Sequence, residues 1–387
     1  MANFVLEEAK ITPIKIKVIG VGGGGGKIVS RIAPNLEEIE TVAIDTDVQA
    51  LKHCGVSLKI QIGEKITQGI GGAGCDPDKG KYAANEDQEK IKDVLKNTHI
   101  VFLVAGLGGG TGTGASPVVA KIARDMGALV IATVTLPFKW EKRDGQAEDG
   151  IDNLKSSVDT LISISNERLQ EIVERDTPIK EAFGKVDEVV SRSIFAVADL
   201  INKPAHIMDL DFTDIKRVLQ NGGMGIVGTG IAKGEKKAVK ALKEALDDPL
   251  LGEKGIQEAR NILVSIIGSP DLSLQDVVEA MNHINDVTHV SQVAFGLSID
   301  EKMQDEVKVT LIATGIEPGK GTQEKVSSEE NVLKESGIEQ PVSPSIRKRL
   351  VTKQAGKTGE IFDKDYFDKD LEIPPSMRKK DNENRNM

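Results

Sequence analysis

The chain has little that would staple it, anchor it in a membrane or draw it to nucleic acid. Only two of its 387 residues are cysteines, Cys54 and Cys75, and they are not spaced as a zinc or redox pair. A reduced, cytoplasmic setting is the expectation. No apolar stretch has the length of a secretion signal or a membrane span, so any membrane contact is expected through a partner, without direct insertion. Positive charge is not in excess: the formal charge of −10 argues against sequence-independent binding to nucleic acid. Aromatic residues make up 3%. The remainder, 39% hydrophobic and 28% charged, suits a soluble protein of about two domains with some disordered sequence.

Glycine is what the chain has in quantity, 39 residues of it, and it is clustered. The stretch Gly106-Leu107-Gly108-Gly109-Gly110-Thr111-Gly112-Thr113-Gly114-Ala115 joins the apolar run Ile100 to Ala105 to a helix expected to begin with Ser116 as N-cap and Pro117 as first helical residue. Six glycines in ten residues let backbone N–H groups approach an anion without Cβ atoms in the way, and the positive helix end points back into the loop. This reads as a phosphate cradle. A flexible linker or a turn without a ligand is the plainer alternative.

Upstream, Ile14 to Ile19 alternates apolar and charged residues as a strand does, and runs into Gly20-Val21-Gly22-Gly23-Gly24-Gly25-Gly26-Lys27 before a helix from Ile28. Gly20, Gly22 and Gly25 satisfy the dinucleotide fingerprint, so a nicotinamide oxidoreductase is a competing reading. The common ATPase motif fails, because Val21 stands at its first glycine and Ile28 at its magnesium-binding hydroxyl. Strands follow at Thr41 to Ile44 and Leu58 to Ile62, then a third glycine-rich segment from Gly69 to Pro77 that is either a third phosphate loop or a surface turn. Helices are expected at Asn85 to Lys96 and Gln146 to Val158, and strands at Leu129 to Val134 and Leu161 to Ile164. The alternation describes an α/β fold with a parallel, Rossmann-like sheet and one crevice at its carboxyl edge.

Between Pro178 and Pro204 a long helix carries Ile179, Ala182, Phe183, Val186, Val190, Ile194, Val197, Ala198 and Ile201 on one broad apolar face, with Asp187 as the position able to face a base. Asp209-Leu210-Asp211-Phe212-Thr213-Asp214 opens a short helix at Ile215 to Gln220, where capping is the ordinary role of the acids. A second α/β region runs from about Asn221 to Ile316, with the glycine cluster Gly222-Gly223-Met224-Gly225, helices at Lys236 to Leu246 and Leu274 to Asn282, and strands at Ile262 to Ile267, Val293 to Leu297 and Val307 to Ala313. Residues 317–364 are too poor in apolar side chains to fold and read as a tether, while 365–387 regain apolar residues as a docking peptide would.

In these segments the chain resembles the tubulin/FtsZ family, that of the bacterial division protein, in somewhat divergent form. Gly108 to Ala115 matches the family signature GGGTGTGA in full. Ile19 to Gly26, Gln146-Ala147-Glu148, Val158 to Leu161, Asp211 to Asp214 and Ala313-Thr314-Gly315 match in the family's order. The resemblance implies a leader (1–13), a GTP-binding domain (14–177), a central core helix (178–204), a C-terminal α/β domain (205–316), a linker and an adaptor-binding peptide. It implies a GTPase that assembles head to tail into filaments building the division ring. It assigns the phosphates to Gly22, Gly23, Gly24, Gly25, Gly26, Lys27, Gly108, Gly109, Gly110, Thr111, Gly112, Thr113 and Gly114. Ribose and phosphate fall to Glu141 and Arg143, guanine to Asn166, Phe183 and Asp187, and the attacking water to Asp211 and Asp214 of the next subunit. GTP or GDP is the ligand, with Mg²⁺ held mainly through phosphates and water and no protein metal site. Lys27, Asp76 and Asp209 stand where the family has Asn, and the Glu141 to Arg143 loop is two residues short, which implies altered turnover.

Overall fold

The structure is a computed structural model describing residues 13–316, apart from 37–38, 69–70, 170–172, 203–206, 209–210, 248–255, 258, 289 and 291. All of these lie in one unit of the chain, residues 1–320. The leader to residue 12, Asp209, the tether and the terminal peptide lie outside the described residues.

Among the described residues ten strands form one sheet: β1 (Ile16–Val21), β2 (Glu40–Asp45), β3 (Leu58–Gln61), β4 (Ile100–Gly106), β5 (Leu129–Leu136), β6 (Thr160–Ser165), β7 (Gly223–Lys233), β8 (Asn261–Gly268), β9 (Gln292–Ile299) and β10 (Glu306–Ile316). Their order is β3-β2-β1-β4-β5-β6-β7-β10-β8-β9. The first six run parallel, β7 joins β6 over the short register Thr160↔Gly223 to Ile162↔Gly225, and β10 runs antiparallel to both β7 and β8. The helices are α1 (Gly22–Ile32), α2 (Val48–Lys52), α3 (Glu64–Thr67), α4 (Pro77–Glu86), α5 (Gln88–Leu95), α6 (Gly110–Asp125), α7 (Asp144–Lys155), α8 (Ile179–Asn202), α9 (Phe212–Leu219), α10 (Lys237–Leu246) and α11 (Leu274–Val287). Among the described residues no helix is long and apolar enough to cross a membrane.

Side chains alternate between the two faces of each strand, and each face has its own core. On one face Val18, Phe102, Val104 and Ile131 meet α1 and α8, and the same cluster continues through Val227, Leu263 and Ile312 in the second half of the sheet. On the other, Ile19, Leu103 and Val130 meet α4 to α7, while Val264, Val309 and Leu311 meet α10 and α11. The long helix α8 is the shared wall: Val190, Ile194 and Val197 are fully buried. Its first turn departs from the expected stripe, with Ile179 76% and Phe183 36% exposed.

Several boundaries differ from the sequence expectation. The alternating pattern of β1 describes a strand buried along its whole length, because helices cover both faces; Lys17 is accommodated by bonds from Nζ to the Val94 carbonyl (2.6 Å) and Glu40 (2.9 Å). Both glycine runs are helical: α1 starts at Gly22 and α6 at Gly110. Ser116 therefore does not cap α6 but donates to the Gly112 carbonyl at 2.5 Å, and Pro117 lies inside the helix. The residues from Pro77 form α4, with α5 a separate helix, and Gly223 to Gly225 are the first residues of β7.

Candidate functional site

Adjacent strands β1 and β4 are in register at Val21↔Ala105, so the helices that follow them start side by side at the carboxyl edge. Gly22 has φ +72°, and a Cβ there would stand 2.7 Å from the Gly112 nitrogen. Glycine alone allows both the left-handed backbone and this approach. Neither α1 nor α6 has a side-chain cap or an acid in its first turn. By contrast α2, α4, α9 and α11 are capped by Asp47, Asp76, Asp211 and Ser273. Two sets of unsatisfied N–H groups, with the positive ends of two helices, thus meet in one place, which is what an anion requires.

The structure sorts the glycine and threonine residues within this cradle. Gly23, Gly24 and Gly109 retain exposure, whereas Gly25, Gly110 and Gly112 are buried against backbone and Gly26 against the Cys54 and Ala43 side chains. Thr111 is buried with its hydroxyl 2.7 Å from that of Thr46. Thr113 accepts from the Gly108 N–H at 2.9 Å and holds the loop shape. Gly114 faces α4, where a Cβ would lie 1.8 Å from the Pro77 carbonyl oxygen, so it serves helix packing. Lys27 is exposed on α1. Asp76 completes α4, its carboxylate accepting from the Asp78 and Lys79 N–H groups at 3.0 and 3.4 Å, and its backbone nitrogen lies 2.8 Å from where a Gly110 Cβ would stand. Residues 69–70 of the third glycine segment lie outside the described residues.

The rim comes from β5, β6 and α8. Glu141 accepts from the Phe138 N–H at 3.0 Å, which folds the short loop into one helical turn. Phe138 stacks on Trp140 (centroids 5.6 Å apart) and meets Phe183 edge-on at 6.3 Å. Despite the shortened loop, the Arg143 Cβ stands 3.2 Å from where a Gly108 Cβ would be. Asn166, directly after β6, has a buried Oδ1 with no hydrogen-bond partner. Asp187 is 8% exposed and held in a two-bond pair by Arg31 of α1, through Nε and, at 2.7 Å, Nη2. Sequence reasoning missed Arg31, since a partner 156 positions away leaves no local spacing signal.

Asp211 and Asp214 are not part of this assembly. Asp211 caps α9, accepting from the Asp214 N–H at 2.8 Å, and both side chains are exposed. The far end of α9 is tied to the start of β6, where the Thr160 hydroxyl donates to the Leu219 carbonyl at 2.6 Å. The preceding segment pairs with β9 through Met208 and Leu297. The glycine loops occupy the opposite, carboxyl ends of the parallel strands. Between Asp187 and the acids runs most of α8, whose 24 residues span roughly 36 Å.

Sequence reasoning also passed over Asp45, the buried end of β2, whose Oδ1 accepts from Thr46 N–H at 2.7 Å and Asp47 N–H at 3.3 Å. Burial pushes its carboxyl above the ordinary carboxylate value, and the two backbone bonds offset that only in part. The residues present fit a guanine nucleotide on two counts. The uncapped helix starts suit phosphates, and the orphaned Asn166 oxygen is an acceptor awaiting a donor such as a purine N–H.

Comparison with known proteins gives the same assignment. Residues 15–174 match the model of the Tubulin/FtsZ family GTPase domain, and residues 223–317 that of the FtsZ family C-terminal domain. An FtsZ dimer from M. jannaschii, described as empty, is 40% identical, with a TM-score of 0.71 over 79% of this chain and 89% of that one. CetZ2 from Haloferax volcanii, in a GTPγS-bound protofilament, shares the fold at 22% identity, with a TM-score of 0.68 over 83% of this chain and 98% of that one. The chain belongs to the Tubulin/FtsZ family.

Proposed function

We propose that the chain is a filament-forming GTPase whose active site is divided between two copies. The first turns of α1 and α6, with Gly22 to Gly26 and Gly108 to Gly112, hold the phosphates by backbone N–H groups, and Lys27 and Arg143 add positive charge. Glu141 lies at the ribose, and Asn166, Phe183 and Asp187 frame guanine. GTP supplies the transferable phosphoryl group, and Mg²⁺ bound with it would neutralise phosphate charge. Asp211 and Asp214 of the neighbouring subunit polarise the attacking water, so subunits stack head to tail. The terminal peptide, 365–387, engages membrane-adaptor proteins, and the filaments build the division ring in the cytoplasm.

The observation that carries this reading is the separation of the exposed Asp211 and Asp214 from the glycine cradle of their own chain. A dinucleotide enzyme is less well supported: the acid such a fold uses for ribose sits at the end of β2, and here Asp45 is buried and bonded to its own backbone.

The test is phosphate release as a function of protein concentration. Specific activity is expected to rise cooperatively, and Asp211→Ala or Asp214→Ala to bind GTP while losing about 10² or more in turnover. Turnover per subunit that is flat with concentration would refute the divided site. Cooperative assembly without turnover in the natural protein would instead identify a nucleotide-binding scaffold.

A further inference from the structure

Asp45 closes β2 beside the cradle with 5% of its surface exposed. While Oδ1 is engaged by backbone N–H groups, Oδ2 lies 3.8 Å from where a Cβ on Gly23 would stand. Gly23 is the second residue of α1, so this oxygen faces the cradle from inside the protein. The Thr111 hydroxyl reaches the same carboxyl, and Thr46 ties Thr111 to the end of β2. Among the described residues no ion pair joins Asp45 to a lysine or arginine. An acid without a countercharge, buried against a site built for anions, opposes its own ligand, because like charges repel more strongly there than in water.

We propose that Asp45 is a specificity-determining residue that sets how much negative charge the cradle accepts, holding back a nucleoside triphosphate more than a diphosphate until a divalent cation accompanies the phosphates. The inference rests on the guanine-nucleotide reading above. Asp45 acts on binding and takes no part in bond breaking. Its position at the meeting of β2, α1 and α6 is what lets one charge act on the whole phosphate chain.

Equilibrium titration of the full chain with GDP and with a slowly hydrolysed GTP analogue, in EDTA and then with Mg²⁺, tests it. In EDTA the natural protein is expected to bind the triphosphate roughly tenfold more weakly than the diphosphate, and Mg²⁺ to remove the difference. Asp45→Asn keeps the acceptor for Thr46 and Asp47 and is expected to abolish most of the gap without metal; Asp45→Glu keeps the charge and is expected to keep the gap. An unchanged affinity ratio in Asp45→Asn, with both nucleotides still bound, overturns the proposal and leaves the site reading intact. Equal binding of both nucleotides by the natural protein in EDTA overturns it without reference to any variant. Failure to bind either nucleotide under any condition overturns the site reading and this proposal together.

Discussion

Gly22 concentrates the requirements of the cradle in one residue. Alanine there would have to adopt a left-handed backbone, which costs about 1–2 kcal/mol, while its methyl entered the space of the Gly112 nitrogen. Gly22→Ala is expected to lower unfolding stability by about 3 kcal/mol and to abolish nucleotide binding; a urea melt matching the natural protein would show that the contact is soft. The residue scale also marks what sequence can and cannot reveal. Gly22 and Thr111 were legible because a local run announces them, and Asp187 because it interrupts an apolar stripe. Arg31 and Asp45 were not, because their meaning comes from partners brought near only by folding.

At the scale of elements, strands and the central helix were readable from apolar periodicity, and the errors fell where glycine replaced it. A glycine costs a helix about 1 kcal/mol relative to alanine, so local preference alone assigns Gly22 to Gly26 and Gly110 to Gly114 to loops. Tertiary packing reverses that, since only residues without a side chain let α1, α4 and α6 approach so closely. The helix α4 escaped notice for the same reason: Gly80, Ala83 and Ala84 make its buried face, which carries little apolar signal. Gly114→Ala, with a methyl 1.8 Å from the Pro77 oxygen, is expected to cost about 3 kcal/mol in chemical denaturation. Gly145→Ala in α7, where a Cβ meets nothing within 4 Å, is expected to be neutral or stabilising by up to about 1 kcal/mol. Equal effects would mean that helix propensity and not packing governs these positions.

At the scale of the molecule, one sheet and one helix join a nucleotide half to a second half whose own integrity depends on charge. Buried Lys237 at the start of α10 bonds Asp271 and Asp305, drawing together the segments after β8 and before β10. Its bond holds the Asp271 carboxyl at about 2, below the ordinary 3.8. A depressed acid stabilises the fold above its unfolded value and loses that contribution as pH falls through its folded value. The second half is therefore expected to weaken from pH 3.8 down to about 2. Asp271→Asn should flatten that acid limb in urea midpoints measured across the window; a variant with the natural slope would assign the acid sensitivity elsewhere.

The bare starts of α1 and α6 carry a consequence for the molecule in solution. Other helix starts also lack a side-chain cap, Lys237–Leu246 among them, but among the described residues only at α1 and α6 do two starts with neither cap nor first-turn acid meet beside one another at the carboxyl edge, open to a bound anion. The ligand is in that sense a removable part of the secondary structure. An occupant present at about a hundred times its dissociation constant adds roughly 2.7 kcal/mol to stability. The folded lifetime of each subunit, and not only its chemistry, is thus tied to the supply of nucleotide around it.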